Sequence, residues 1–200
     1  MDRLNRLYMI RHGQTVGYDR QSVYGATDAE VTEVGILQMQ NLVERLRLAE
    51  IGAIYSSDLK RSVTGARILA SRHNVPLHAL PELREIDFGE WEGLTLSEIR
   101  ERFPGELDQR KSDLIQFQPP GPGESIEHLS RRVGRCMGRI LKEERGKDIL
   151  FVGHGMVNRV ILCNAMELDL SRLLHLQQDY GCLNIIDYFS DTAVVRLMNG

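Results

Sequence analysis

Two short apolar runs in this chain each stop at a histidine set beside glycine. Leu7-Tyr8-Met9-Ile10 ends at Arg11-His12-Gly13, and Ile149-Leu150-Phe151-Val152 ends at Gly153-His154-Gly155. A continuous apolar run bounded by polar and glycine residues reads as a buried strand followed by a loop. In open α/β sheets, sites form outside the carboxyl ends of the strands. Glycine at such a point lets a ligand approach the backbone. A helix opening just after His154 also aims its first N–H groups at an anion. One histidine in this setting reads as a polar residue hydrogen-bonded at a strand end; two of them, one beside an arginine, read as a site.

The rest of the chain alternates between the same two kinds of element. Thr32 opens a helical segment with Leu37, Leu42, Val43, Leu46 and Leu48 on or near one face, and Gly52 interrupts it. Ala53-Ile54-Tyr55 reads as a second strand, and Ser57 or Asp58 as the N-cap of a helix over about 60–71. A short strand is expected near 77–80, an irregular region with one or two short helices over 81–122, and a long helix from Ser125 to about Glu144. Pro119-Pro120-Gly121-Pro122-Gly123 breaks the chain just before that helix. A helix follows His154 to about Met166, and two late strands are expected over 184–188 and 193–198. This alternation predicts a three-layer α/β/α sandwich with a mostly parallel central sheet. With no repeat and no linker between parts of adequate size, residues 1–200 are expected to form one domain.

Composition narrows the function classes. A net charge of −3 gives no reason to expect nucleic acid or an anionic membrane as partner. No stretch approaches the ~18 apolar residues of a membrane span. Cys136, Cys163 and Cys182 are scattered and odd in number, which speaks against a disulfide framework or a zinc site. Buried thiols in the cytoplasm are the expectation. Nothing in the chain opposes a homo-oligomer.

Beyond the two histidines, further segments fall in a recognisable order. They are Thr32-Glu33-Val34-Gly35, Ser56-Ser57-Asp58-Leu59-Lys60-Arg61-Ser62, Leu83-Arg84-Glu85-Ile86-Asp87-Phe88-Gly89-Glu90-Trp91-Glu92-Gly93 and Gly123-Glu124-Ser125. With Arg11-His12-Gly13 and Gly153-His154-Gly155 they resemble the histidine phosphatase, or phosphoglycerate-mutase-like, superfamily over nearly the whole chain. The resemblance implies a phosphoglycerate-mutase-like fold and a metal-independent phosphomonoester hydrolase without cofactor. It implies His12 as the phosphorylated nucleophile and Glu85 as the proton donor. Arg11, Arg61 and His154 would hold the phosphoryl group, with Gly13, Thr15 and Gly155 lining its pocket. The expected partner is a small phosphorylated metabolite. The stretch from Tyr180 to Asn199 is similar to α-ribazole phosphatases, which makes α-ribazole 5'-phosphate one expected substrate; it also fits broad-specificity and fructose-2,6-bisphosphatase types.

The chemistry suits these residue types. A neutral imidazole attacks a dianionic ester without charge repulsion, and histidine titrates near ~6.5. Planar guanidinium groups match phosphate oxygens and can stand where other enzymes use Mg²⁺. The sequence also departs from the family's pattern. Tyr18 stands where many members have a phosphate-contacting asparagine, and Ser22 stands where an arginine is frequent, with Arg20 close by. Glycolytic mutases carry a longer insert between the positions of Gly93 and Gly123 and an added tail. The shorter cover here admits water, so hydrolysis is expected over mutase transfer. A non-catalytic protein that recognises a phosphorylated partner is the reading in a different class.

Overall fold

The computed structural model describes residues 2–20 and 22–200. Its spine is a six-stranded sheet in the order β3-β2-β4-β1-β5-β6. The strands are β1 (Asn5–Arg11), β2 (Ile51–Ser56), β3 (Leu77–Ala79), β4 (Asp148–Gly153), β5 (Leu183–Tyr188) and β6 (Ala193–Leu197). β1, β4, β2 and β3 run parallel to one another, whereas β5 is antiparallel to both β1 and β6.

Alternation along the central strands builds the layers. Leu7 and Met9 of β1, with Ile149 and Phe151 of β4, pack on α5 (Ile126–Glu143) and α6 (Gly155–Ala165). Tyr8, Ile10, Leu150 and Val152 point the other way, onto α1 (Glu33–Arg45) and α2 (Lys60–Ala70). Each fully buried aliphatic side chain of this kind contributes roughly 1.5–3 kcal/mol of transfer free energy. Two short helices, α3 (Leu96–Arg102) and α4 (Glu106–Ser112), fill the irregular stretch before α5. The expected sandwich is therefore present.

Three details differ from expectation. Leu37 and Leu48 are 57% and 80% exposed, and Gly35, Met39 and Leu42 form the buried stripe of α1. At about 100° per residue Leu37 falls roughly opposite Met39, and Leu48 lies past the end of the helix. Gly52 belongs to β2, where the register against β4 shifts between Ile51 and Ala53. Neither Ser57 nor Asp58 caps α2: the Lys60 N–H donates to Asp28 Oδ1 at 2.7 Å, a cap from a distant loop. The caps of α1 and α5 are local, with Thr32 accepting from Gly35 N and Ser125 accepting from His128 N.

Candidate active site

Register decides what meets at the carboxyl end of the sheet. Arg11 of β1 is paired with Gly153 of β4. The next residue on each strand is a histidine, so the two imidazoles come together, with ring centroids 5.1 Å apart. β2 ends beside β4, Ser56 opposite Val152. The residue after it, Ser57, places its hydroxyl 2.6 Å from His154 Nε2. Three adjacent strand ends thus supply His12, His154 and Ser57.

Both rings are buried. His12 Nδ1 lies 2.8 Å from the Gly13 carbonyl oxygen, which can only accept, so the proton sits on Nδ1 and Nε2 keeps its lone pair. Burial, then Arg61 and Arg11, hold the His12 pKa well below the usual 6.5. Burial is also the main cause for His154, followed by Arg61, His12 and Arg11, and its pKa too is well below that value. Both rings are accordingly neutral at pH 7. His154 Nδ1 is buried and has no hydrogen-bond partner among the described residues.

The arginines are anchored by neutral groups. Arg61, in the first turn of α2, donates from Nη1 to Thr27 O at 2.6 Å and from Nη2 to Gly25 O at 2.5 Å. Arg11 donates from Nη1 to Gln178 O at 2.6 Å, and its guanidinium carbon lies 3.9 Å over the Tyr180 ring. Arg11 Nε is buried and unpartnered. Among the described residues neither arginine has a carboxylate within ion-pair distance. Each therefore keeps most of its five N–H donors for another acceptor.

Glu85 completes the group by capping α6 from outside. Its Oε2 accepts from Met156 N at 3.0 Å, and its Oε1 accepts from Val157 N at 3.3 Å and from its neighbour Ile86 N at 3.0 Å. It does not pair with Arg84, which instead forks onto Asp58 with both contacts at 2.6 Å. Arg132 fixes the backbone around Glu85, donating to Glu82 O and Arg84 O at 2.9 and 2.8 Å and pairing with Glu124. Glu85 also borders a cavity of about 390 Å³ lined by Arg84, Asp87, Gly123, His128 and Arg132.

Gly155 sits at the meeting point. A Cβ there would lie 3.6 Å from both Arg11 Nε and Glu85 Oε2, and 3.1 Å from Nη1 of Arg159. Gly13 has another reason to be glycine: a Cβ would come 2.2 Å from Gly35 O at the start of α1. Thr15 is buried and bridged to Val31, and among the described residues no hydrogen bond joins it to either histidine. Tyr18 is 51% exposed, and the Ser22 hydroxyl is buried without a partner.

Sequence reasoning missed Ser57 as a histidine contact, named Tyr180 only as the start of a stretch and not as a site residue, and did not single out Gln178 or Arg159. Ser57 lies inside a recognised segment, so that signal was available. Tyr180 and Gln178 arrive from the loop before β5 and carry no local pattern. Among the described residues no group of three or more His, Cys, Asp or Glu could hold a metal ion, and no helix is long and apolar enough to cross a membrane. All three cysteines are buried and free.

An imidazole with a free lone pair, flanked by arginines without anions and by one carboxyl group, is the layout of a phosphoryl-transfer site. The family model of the histidine phosphatase superfamily (branch 1) matches residues 7–200, and the chain belongs to that superfamily. A bifunctional protein of Mycobacterium tuberculosis is 36% identical over 200 residues, covering 97% of this chain and 53% of the relative. The chain thus spans about half the length of that relative. A metal-independent phosphoserine phosphatase of Arabidopsis thaliana is 31% identical over 160 residues, covering 79% of this chain and 67% of the relative. Among solved structures, the α-ribazole phosphatase of Shigella flexneri superposes with a TM-score of 0.89 at 28% identity, covering 98% of this chain and 96% of the other.

Proposed function

We propose that this chain hydrolyses phosphomonoesters of small metabolites through a phosphohistidine on His12. The observation that carries the reading is the neutral, buried His12 with Nε2 free, beside two arginines that, among the described residues, form no ion pair with a carboxylate. In the first step the Nε2 lone pair forms a bond to phosphorus as the ester oxygen leaves, and Glu85 gives that oxygen a proton. In the second step water attacks phosphorus, Glu85 takes its proton, and the N–P bond breaks to return neutral His12 and phosphate. Arg11, Arg61 and the unpartnered Nδ1 edge of His154 face the charge that spreads over the equatorial oxygens. Gly155, lacking a Cβ, leaves room for an oxygen between Arg11 and Glu85. α-Ribazole 5'-phosphate is the first substrate to test, on the full-length likeness to the Shigella enzyme, and phosphoserine the second.

Rapid quench with ³²P-labelled ester should trap an acid-labile, base-stable adduct on the peptide that contains His12. His12→Ala should lose the adduct and cut turnover by about 10⁴-fold or more. Dialysis against EDTA should leave phosphate release unchanged. Label on the peptide containing His154, or activity restored only by Mg²⁺ or Zn²⁺, would overturn the mechanism. Faster interconversion of 2- and 3-phosphoglycerate than phosphate release would reassign the chain to transfer.

A further inference from the structure

One loop holds the Arg61 guanidinium, and one carboxylate outside the proposed chemistry holds that loop. Gly25 O and Thr27 O accept the two Arg61 hydrogen bonds. The N–H groups of Gly25, Ala26 and Thr27 all converge on Glu92. Gly25 N donates to both Glu92 oxygens at 3.0 Å, Ala26 N to Oε1 at 2.9 Å and Thr27 N to Oε2 at 3.1 Å. The Thr27 hydroxyl adds a contact to Oε2 at 2.5 Å, and Phe88 N one to Oε1 at 3.1 Å. The next residue, Asp28, caps α2 at Lys60, one position before Arg61. Carbonyls and N–H groups of one short loop point opposite ways: the former to Arg61, the latter to Glu92.

We infer that Glu92 is a positioning residue for the phosphate pocket, setting the 25–27 loop so that its carbonyls aim the Arg61 fork. The inference rests on reading Arg61 as a phosphate-binding group. The chemistry asks for a carboxylate in particular. Its two oxygens offer about four acceptor sites and no donor, which suits a ring of N–H groups. Glutamine of the same shape would turn an NH₂ toward donors, and the loop would have to move to avoid them. Gly25 cannot absorb that movement easily, because its Cα lies against the chain at Ile86 and a Cβ would meet Ile86 O at 1.8 Å. A guanidinium moved by a fraction of an ångström loses its fit to an oxyanion, and such misplacement is known to cost up to about 10²-fold.

The test is a double-mutant cycle read in kcat on p-nitrophenyl phosphate and in affinity for orthovanadate, a mimic of the pentavalent phosphorus. Glu92→Gln should lower both by about 10- to 100-fold. Glu92→Asp, which keeps the charge but is one methylene short, should recover part of the loss. In an Arg61→Ala background Glu92→Gln should cost less than about threefold, because the group it positions is gone. A Glu92→Gln protein within about threefold of wild type, or one whose full loss persists in Arg61→Ala, overturns the inference. Should Glu92→Gln fail to fold by circular dichroism, Glu92→Asp and Thr27→Val carry the same cycle, and unchanged kcat in both overturns it. A wild type that binds orthovanadate but turns over no ester refutes the phosphatase reading and leaves the cycle to be read in affinity. A wild type that does neither refutes both.

Discussion

Strand β1 carries an arginine near each end, and the fold treats the two in opposite ways. Arg6 is in register with Asp148 on one side and Asp187 on the other. It forks onto Asp187 at 2.6 and 2.9 Å, Arg196 adds a bond to the same carboxylate at 2.9 Å, and Arg3 pairs with Asp148 at 2.9 Å. The Arg6 fork, more than any other neighbour, holds the Asp187 carboxyl down at about 2. Among the described residues Arg11, at the other end of the strand, bonds through its side chain to one carbonyl and lies over an aromatic face, and its Nε has no partner. A buried charge left without a counter-charge costs free energy that a paired one does not. The amino end of the sheet has neutralised its cations inside the fold. Among the described residues, the carboxyl end leaves its cations without an ion pair, as the proposed phosphate site requires.

That contrast can be broken by mutation. The largest effect after loss of the proposed nucleophile should come from Glu85→Gln, which removes the proposed proton donor at the unpaired end. On an alkyl phosphate the rate should fall by about 10²–10⁴-fold. On p-nitrophenyl phosphate, whose leaving group needs little protonation, the rate of phosphoenzyme formation, read as kcat/KM, should fall by under about tenfold. Equal losses on the two esters, measured as kcat/KM, would take Glu85 out of the acid role and leave His12 in place.

A smaller effect should separate the two ends directly. Arg61→Ala should lower kcat by about 10²–10³-fold with little change in melting temperature, since its partners are only two loop carbonyls. Asp187→Asn should do the reverse, leaving kcat within about threefold and lowering the melting temperature by several degrees. Parallel kinetics and thermal melts decide it. A stable but inactive Asp187→Asn protein would show that the two ends are coupled.

What the sequence disclosed follows the same division between local and distant causes. His12 and His154 were legible because an apolar strand run and its glycine neighbours are contiguous, and β1–β4 pairing then follows from parallel register. Thr32 and Ser125 were legible as caps because the N–H each accepts is three residues on. The caps of α2 and α6 were not, because Asp28 and Glu85 come from loops far away in the chain. Ser57 looked like a cap in its own segment, yet its hydroxyl is engaged by His154 across the sheet. Tyr180 and Gln178 reach the site only through tertiary packing, and periodicity carries no record of that; Arg159 lies one helical turn past Gly155 on α6, and only its anchor, the Leu176 carbonyl, is distant.

The smallest effect concerns pH, and it places the two ends in different windows. His12 and His154 have native pKa values pushed well below 6.5, so below that pH the unfolded chain binds protons that the native protein refuses. Stability then rises with pH, which means it is lost as pH falls from ~6.5, at up to about 1.4 kcal/mol per pH unit for each histidine. Asp187 works lower down. Its native value of about 2 lies beneath the ordinary carboxylate value of 3.8, so its contribution is complete above about pH 4 and disappears as the pH falls toward 2. Melting temperature followed from pH 7 to pH 2 should therefore decline in two stages. Replacing His12 and His154 together by glutamine should flatten the stage between pH 6.5 and 5 and leave the lower one. Asp187→Asn should lower the starting temperature, lessen the slope below pH 4, which Asp58, Glu144 and Asp179 share, and leave the upper stage. If the histidine variant keeps the full upper slope, the two rings are charged in the native protein at that pH, and the neutral nucleophile at the carboxyl end is wrong.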